Sequence, residues 1–595
     1  MITNPSRNQR EPSLGDSPII LLLMLFVVAA LGLYLVVARL YIRPQQLAEG
    51  ALYVFIVCAA FTVPIVRKFA PDAKRKKRPP FVLPAAKDER IVTDAWDRNA
   101  VVLGYDMDEK PWLWPDEVRV MQGIVLGMTG SGKTTLLKNI ITQDIARWVG
   151  PPDDRHRIPM VIFDGKGDLE FFEQLLPHIH RAGRLHQLRL LNPSRPDQSV
   201  LYNPFFTRDD NYMAQVNMIF GSFNLHDEFF AKHQLNYLGD VVRVLFYTGA
   251  RYTFYDVIVM LLDEAALHEQ IEKATHRLDR DTKVSAQQRL NFEMSVKNLL
   301  QSLEDRERVP KIQGLINECM TFLDDELSAI TGQYDDLLSI EDVIDQELIL
   351  FVSLNANKNI EPVRSLGKML LQNIQLTVGK RYEDQAERRR QNRPIFSVVL
   401  DEFAPFGYRN FAQILQTARG TNTAFLFSMQ SLPQLMQVGR GFKEEVTSAP
   451  NTTMTLRTRD EETAKYFIKA SAEQTVVRRS IFKQRGFFGL GQYEETGRAT
   501  ETEDRETRSQ DESIKNLPKG RMEILMSEDS RGTLHSLLQV RPPEDVSTPG
   551  FVPSVYPRMV QSRAESSGAN LRFKDPELAR KYRVPNRYAG GGSRR

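Results

Sequence analysis

The sequence predicts an α/β fold: a parallel β-sheet covered by helices, with an all-α insertion and two N-terminal membrane-spanning helices. Three observations carry this. Short apolar runs alternate with amphipathic segments, the pattern of strands buried on both faces. A stretch of about 130 residues in mid-chain shows only helical periodicity. Two long uncharged runs lie near the N-terminus.

The bulk composition fits this. The 595 residues suit two or three domains, and 42% hydrophobic against 26% charged residues excludes wholesale disorder. The net charge of +3 balances 78 basic against 75 acidic residues, so any nucleic-acid surface is a local patch. Cys58 and Cys319 are too few for a disulfide framework or a Cys-rich zinc site.

After a cytoplasmic N-terminus (1–16), Ser17 to Ala38 gives 22 residues without a charge, enough to span a bilayer. A short outside loop (39–49) leads to a second run of 17 residues, Gly50 to Val66. Arg67, Lys68, Lys74, Arg75, Lys76, Lys77 and Arg78 follow, opposed only by Asp72. The positive-inside rule puts this flank, and so both termini, in the cytoplasm. Residues 67–99 read as a basic juxtamembrane linker.

The sheet domain begins at 100 and runs to 210. Strands are predicted at Val120–Leu126 and Met160–Phe163. Residues 211–344 read as the all-α domain, with helices at Glu228–Phe246, Phe254–Leu267, Leu290–Leu303 and Lys311–Leu323. The sheet domain resumes over 345–545, with strands at Leu348–Leu354, Ile395–Leu400, Ala424–Ser428 and Thr452–Leu456. Met522–Met526 and Leu534–Val540 read as a closing hairpin. Residues 485–512 are polar and predict a mobile loop. From Arg541 onward, 11 basic and 5 acidic residues without periodicity predict a disordered basic tail, bounded at 546–595.

Gly127-Met128-Thr129-Gly130-Ser131-Gly132-Lys133-Thr134 fits the phosphate-binding loop pattern between a strand and a helix. The glycines let backbone N–H groups of Gly127, Thr129, Gly130, Ser131 and Gly132 face phosphates at a helix N-terminus. Lys133 reaches the β- and γ-phosphates of ATP, the Thr134 hydroxyl ligates Mg2+, and Thr135 adds an α-phosphate contact. Ile395–Leu400 is a buried run ending in Asp401-Glu402. Asp401 suits the metal and Glu402 the polarising of water, which favours a hydrolase over a kinase. Asp164-Gly165-Lys166-Gly167-Asp168 follows another strand and can place charges at the same end of the sheet, where ligands bind; a turn with local ion pairs is an equal reading. Gln430 follows a strand and suits γ-phosphate sensing. Arg419 is a lone arginine, usually a solvated side chain, yet it sits where P-loop motors keep a finger acting across a subunit interface.

This ordered set resembles the type IV coupling proteins of conjugation and type IV secretion, the VirD4/TraG/TraD/TrwB family. The carriers are the two spans, Gly127–Thr135, Asp164–Asp168, Leu201-Tyr202-Asn203-Pro204, Asp401-Glu402-Phe403, Ala418-Arg419-Gly420 and Gln430-Ser431. The resemblance implies a RecA-like P-loop NTPase at the bacterial inner membrane, working as a homohexamer. It implies an ATPase that moves single-stranded DNA, with its relaxase and relaxosome proteins, to the type IV secretion channel components. By position, Lys133, Thr134, Asp401, Glu402, Arg419 and Gln430 inherit the ATPase roles. The short outside loop departs from the family, as does a tail without an acidic end. A related ATPase handling only protein effectors and an FtsK-like translocase are the rival readings; the second lacks a DNA-reading winged-helix tail here.

Overall fold

The computed structural model describes residues 84–582, except 168, 209–210, 226–227, 356–359, 384–392, 440, 472, 486–492, 508–510, 529–531 and 547–567. The described residues, apart from Pro84, belong to one compact unit, Ala85–Arg595. The two predicted spans lie outside the described residues. Among those residues, no helix is long and apolar enough to cross a membrane.

In chain order the strands are β1 (Ala100–Asp106), β2 (Pro111–Pro115), β3 (Gly123–Leu126), β4 (Trp148–Val149), β5 (His156–Arg157), β6 (Met160–Asp164), β7 (Leu188–Leu191) and β8 (Ile349–Ser353). They continue with β9 (Phe396–Asp401), β10 (Thr423–Met429), β11 (Thr452–Thr455), β12 (Glu473–Arg485), β13 (Tyr493–Thr507), β14 (Arg521–Glu528) and β15 (Gly532–Val540). Eleven of them form one sheet in the order β2-β1-β15-β14-β11-β3-β10-β9-β6-β8-β7. From β11 to β7 every pairing is parallel. The four strands at the other edge pair antiparallel, through the predicted hairpin and a second one, β1–β2, where the sequence marks only the start of the sheet domain at 100.

Alternation along the parallel strands sends side chains to two cores. Val125, Ile162, Phe351, Val399 and Leu426 join the helices Lys133–Ala146 and Glu170–Arg181 on one face. Leu126, Phe163, Val352, Leu400 and Phe427 face the other way, onto the helix Ile360–Glu383 and the helical insertion. Burial on both faces is why these strands read as continuous apolar runs.

The insertion runs from Tyr212–Ser222 to Ile340–Asp345, with all its elements helical. The single helix predicted over Phe254–Leu267 is instead two, Phe254–Leu262 and Glu264–Arg280. Asp263 sits between them at φ −104° and ψ 106°, and its carboxylate accepts the Ala266 N–H at 3.0 Å. An N-capping aspartate thus overrides a continuous apolar periodicity.

Three further expectations change. Residues 85–96 of the supposed linker form a helix that buries Val92 and Ala95, one turn apart. Residues 493–507 of the supposed loop pair antiparallel with 473–485. In that ladder Arg479 stands opposite Glu501 and Lys483 opposite Glu495 in register. Residues 568–582 of the supposed disordered tail lie on the insertion. The Ala569 N–H donates to the Arg251 carbonyl at 2.7 Å, and the Leu571 N–H donates to Asp256 Oδ1 at 2.9 Å. Asp575 N–H reaches Asp263 Oδ2 at 3.0 Å, Leu571 is buried, and Pro576–Lys581 forms a short helix.

Candidate nucleotide-binding site

The turn after β3 carries Gly130 at φ 75° and Gly132 at φ 113°, left-handed values that a side chain would strain. Gly132 caps the helix that starts at Lys133. Neighbouring segments of the same chain hold the loop from outside. The Gly127 N–H donates to the Met429 carbonyl at 3.3 Å, Met128 N–H to Arg457 O at 2.9 Å, and Gly520 N–H to Ser131 O at 3.1 Å. Thr129 and Gly130 are exposed, Thr134 and Thr135 half-buried, and the Ser131 hydroxyl is buried with no partner.

Lys133 is buried, and its ammonium donates to the Gly127 carbonyl at the base of its own loop. Burial pulls its pKa below the ordinary lysine value, against the opposing pull of Glu402 and Asp401. The helix bearing it is anchored at its far end. Asp144 accepts from Arg119 at 2.8 Å and from Arg147 Nε at 3.1 Å, and Arg147 also reaches Asp116 at 2.7 Å. All but Asp116 of these charged groups are fully buried.

Strand order brings the acids to the same end of the sheet. β9 lies one strand beyond β10, which is itself the neighbour of β3. Thr134 Oγ1 lies 3.4 Å from Asp401 Oδ2. Asp401 is only 1% exposed, and its Oδ1 accepts the Ser428 hydroxyl at 2.9 Å. Glu402 turns the chain at φ 65°, a left-handed value that costs a non-glycine residue about 1–3 kcal/mol. Its N–H donates to Ser428 Oγ at 3.2 Å, and the Phe403 N–H donates to the Ser428 carbonyl at 2.8 Å. Burial raises the Glu402 pKa above the ordinary carboxylate value, countered by Lys133 and by a hydrogen bond from Gln430. Its Oε2 is buried and has no partner. A hydroxyl and a carboxylate facing one another, beside an unsatisfied acid, form a hard-oxygen set that fits Mg2+ completed by phosphate and water.

The structure therefore joins Gly127, Thr129, Gly130, Ser131, Gly132, Lys133, Thr134, Thr135, Asp401, Glu402 and Gln430 at one end of the sheet. It sets Arg419 apart. That residue is exposed, in the turn Ala418–Thr421 that leads into the opposite end of β10. The sequence assigns no role to Ser428, and it places Lys166 only within a turn that can bring charge to the ligand end of the sheet. Ser428 carried no motif. Lys166 was legible as a lysine in a Gly-Lys-Gly turn after a strand, and its Nζ lies 3.0 Å from Asp401 Oδ2. Asp168 lies outside the described residues.

This arrangement can be compared with known proteins. The model of the family "Type IV secretory system Conjugative DNA transfer" matches residues 108–510, more than half of the chain. The chain belongs to this family. The family is one of conjugative DNA transfer, and the loop and acids described above lie within the matched residues. Among solved structures, the bacterial conjugative coupling protein TrwBΔN70, in its unbound monoclinic form, is similar at a TM-score of 0.52 and 16% identity. That match covers 79% of this chain and 95% of the other. The plasmid coupling protein TrwB in complex with the non-hydrolysable GTP analogue GDPNP is similar at a TM-score of 0.50 and 16% identity, with the same coverage. At such identity these matches show the fold alone. A comparison with curated protein sequences gives no match.

Proposed function

We propose that this protein is the membrane-anchored coupling ATPase of a conjugative type IV secretion system, which binds ATP with Mg2+ and moves single-stranded DNA. The observation that carries the reading is the convergence of Lys133, Thr134, Asp401 and Glu402 at one sheet end in a chain of this family. Lys133 and the loop N–H groups hold the phosphates. Thr134 and Asp401 would hold Mg2+, which would supply positive charge to neutralise the phosphates. Glu402, kept in place by Ser428, accepts the proton of the attacking water, and its raised pKa makes it a stronger base than an ordinary carboxylate. Gln430, on the loop that follows β10, favours the charged form of Glu402.

A homohexamer with both termini in the cytoplasm and two spans in the bacterial inner membrane completes this reading. The apolar runs 17–38 and 50–66 with their basic flank support it. So does the exposure of Arg419, which suits a finger acting across a subunit interface. Relaxase, relaxosome and secretion-channel proteins are the partners it implies.

The test is ATP hydrolysis by the chain without its first 78 residues, with and without single-stranded DNA. Stimulation by DNA is expected. Hydrolysis indifferent to DNA but raised by a protein substrate would favour an ATPase for protein effectors.

A further inference from the structure

The metal position assigned above is contested by a side chain. Lys166 Nζ lies 3.0 Å from Asp401 Oδ2 and 3.3 Å from Thr134 Oγ1. These are the two oxygens that face each other at 3.4 Å and that would hold Mg2+. A lysine ammonium has three donors and no acceptor, so two oxygens are natural partners for it.

The backbone that carries Lys166 is fixed. Asp164 Oδ1 accepts the Lys166 N–H at 3.0 Å and Oδ2 accepts the Gly167 N–H at 3.2 Å. The Gly165 N–H donates to the Asp401 carbonyl at 3.2 Å, which ties the turn to β9 itself. Gly167 sits at φ 64°, and a Cβ there would come within 2.5 Å of Asn355 N. The side chain is less confined. It is 42% exposed, whereas Asp401 is 1% exposed. Lys166 thus reaches the buried carboxylate from the open side of the site, on a stem long enough to swing away.

We propose that Lys166 is a stand-in cation, which occupies the metal position between Thr134 and Asp401 until Mg2+ arrives with nucleotide and displaces it. The inference rests on the nucleotide reading of this site. Two cations cannot share one pair of oxygens at these distances without strong repulsion. The lysine therefore neutralises Asp401 in the empty site and keeps its carboxylate oriented. It also lowers the affinity for free metal, so that metal enters together with phosphate charge. Once displaced, the ammonium is a mobile positive group at the edge of the phosphate site. Lys166 is in this role a positioning residue.

The experiment counts bound metal rather than turnover. Mn2+ binding to the nucleotide-free full chain in detergent is titrated by electron paramagnetic resonance. Lys166→Met should tighten Mn2+ by about tenfold, within the roughly 5–150-fold range of coupled equilibria. Lys166→Arg, which keeps the charge, should leave Mn2+ as weak as in the parent chain. Adding Asp401→Asn to Lys166→Met should abolish the gain. Equal Mn2+ affinity in Lys166→Met and the parent would overturn the proposal, as would tightening that survives Asp401→Asn or is matched by Lys166→Arg. Fluorescent ADP binding in the presence of Mg2+ is measured alongside. Its absence from the parent chain would overturn the nucleotide reading itself, separately from the role of Lys166.

Discussion

Lys133 and Arg419 of one chain stand at opposite ends of the parallel sheet. β10 begins at Thr423, just after the turn that bears Arg419, and ends at Met429, whose carbonyl accepts the Gly127 N–H at 3.3 Å. Seven extended residues span about 20 Å, which no arginine side chain can bridge. Arg419 can serve a nucleotide only on a neighbouring copy. Arg419→Ala should then bind ATP yet hydrolyse it slower by about 10³–10⁵. Mixtures of Arg419→Ala and Lys133→Ala chains should recover activity, because some interfaces pair an intact loop with an intact arginine. ATPase rate against mixing ratio is the measurement, and a flat line at the level of the single mutants would refute the role.

Glu402→Gln removes the charge but keeps the shape. Nucleotide affinity should persist while turnover falls about 10²–10⁴-fold, the usual contribution of a positioned base. Equilibrium binding and steady-state hydrolysis on one preparation separate the two effects. Loss of binding along with turnover would instead mean that Glu402 supports the loop.

Asp144 is buried, yet its pKa lies below the ordinary value: burial alone would raise it, and Arg119 and Arg147 overcome that. A depressed carboxylate contributes stability that is present above its unfolded pKa and lost as pH falls through its folded one. Asp144→Asn leaves two buried guanidinium groups short of their anion and should cost about 3–5 kcal/mol at neutral pH. The gap in unfolding midpoint between variant and parent should narrow only in strong acid. A gap that widened on acidification would contradict the assignment.

Removing residues 568–595 strips N–H donors from Asp256 and Asp263, both buried carboxylates. Backbone amides of Phe254–Leu262 should exchange hydrogen faster as a result. Unchanged exchange in that helix would mean that the segment is only loosely seated.

Much of this was legible before any coordinates. The parallel strands announced themselves because burial on both faces leaves little choice but Val, Ile, Leu and Phe. The phosphate loop was legible because its glycines and lysine have few other uses in that order. What escaped depends on distant partners. β7 is four residues long, and only its pairing with β8 makes it a strand. The break at Asp263 follows from one side-chain hydrogen bond. The role of Ser428 follows from Asp401, 27 positions earlier. The segment 568–582 has no periodicity of its own and takes its shape from Asp256 and Asp263.

That last segment bears on how the molecule is made. Asp256 and Leu571 are 315 positions apart, and Asp88 and Arg541, joined by an ion pair of 2.7 Å, are 453 apart. At about 5–20 residues per second, a ribosome takes roughly 15–60 s to deliver Leu571 after Asp256. Throughout that interval Asp256 and Asp263 lack the N–H donors of Leu571 and Asp575. The contacts that seat this segment on the helical insertion can therefore form only after the strands of the host domain have been synthesised.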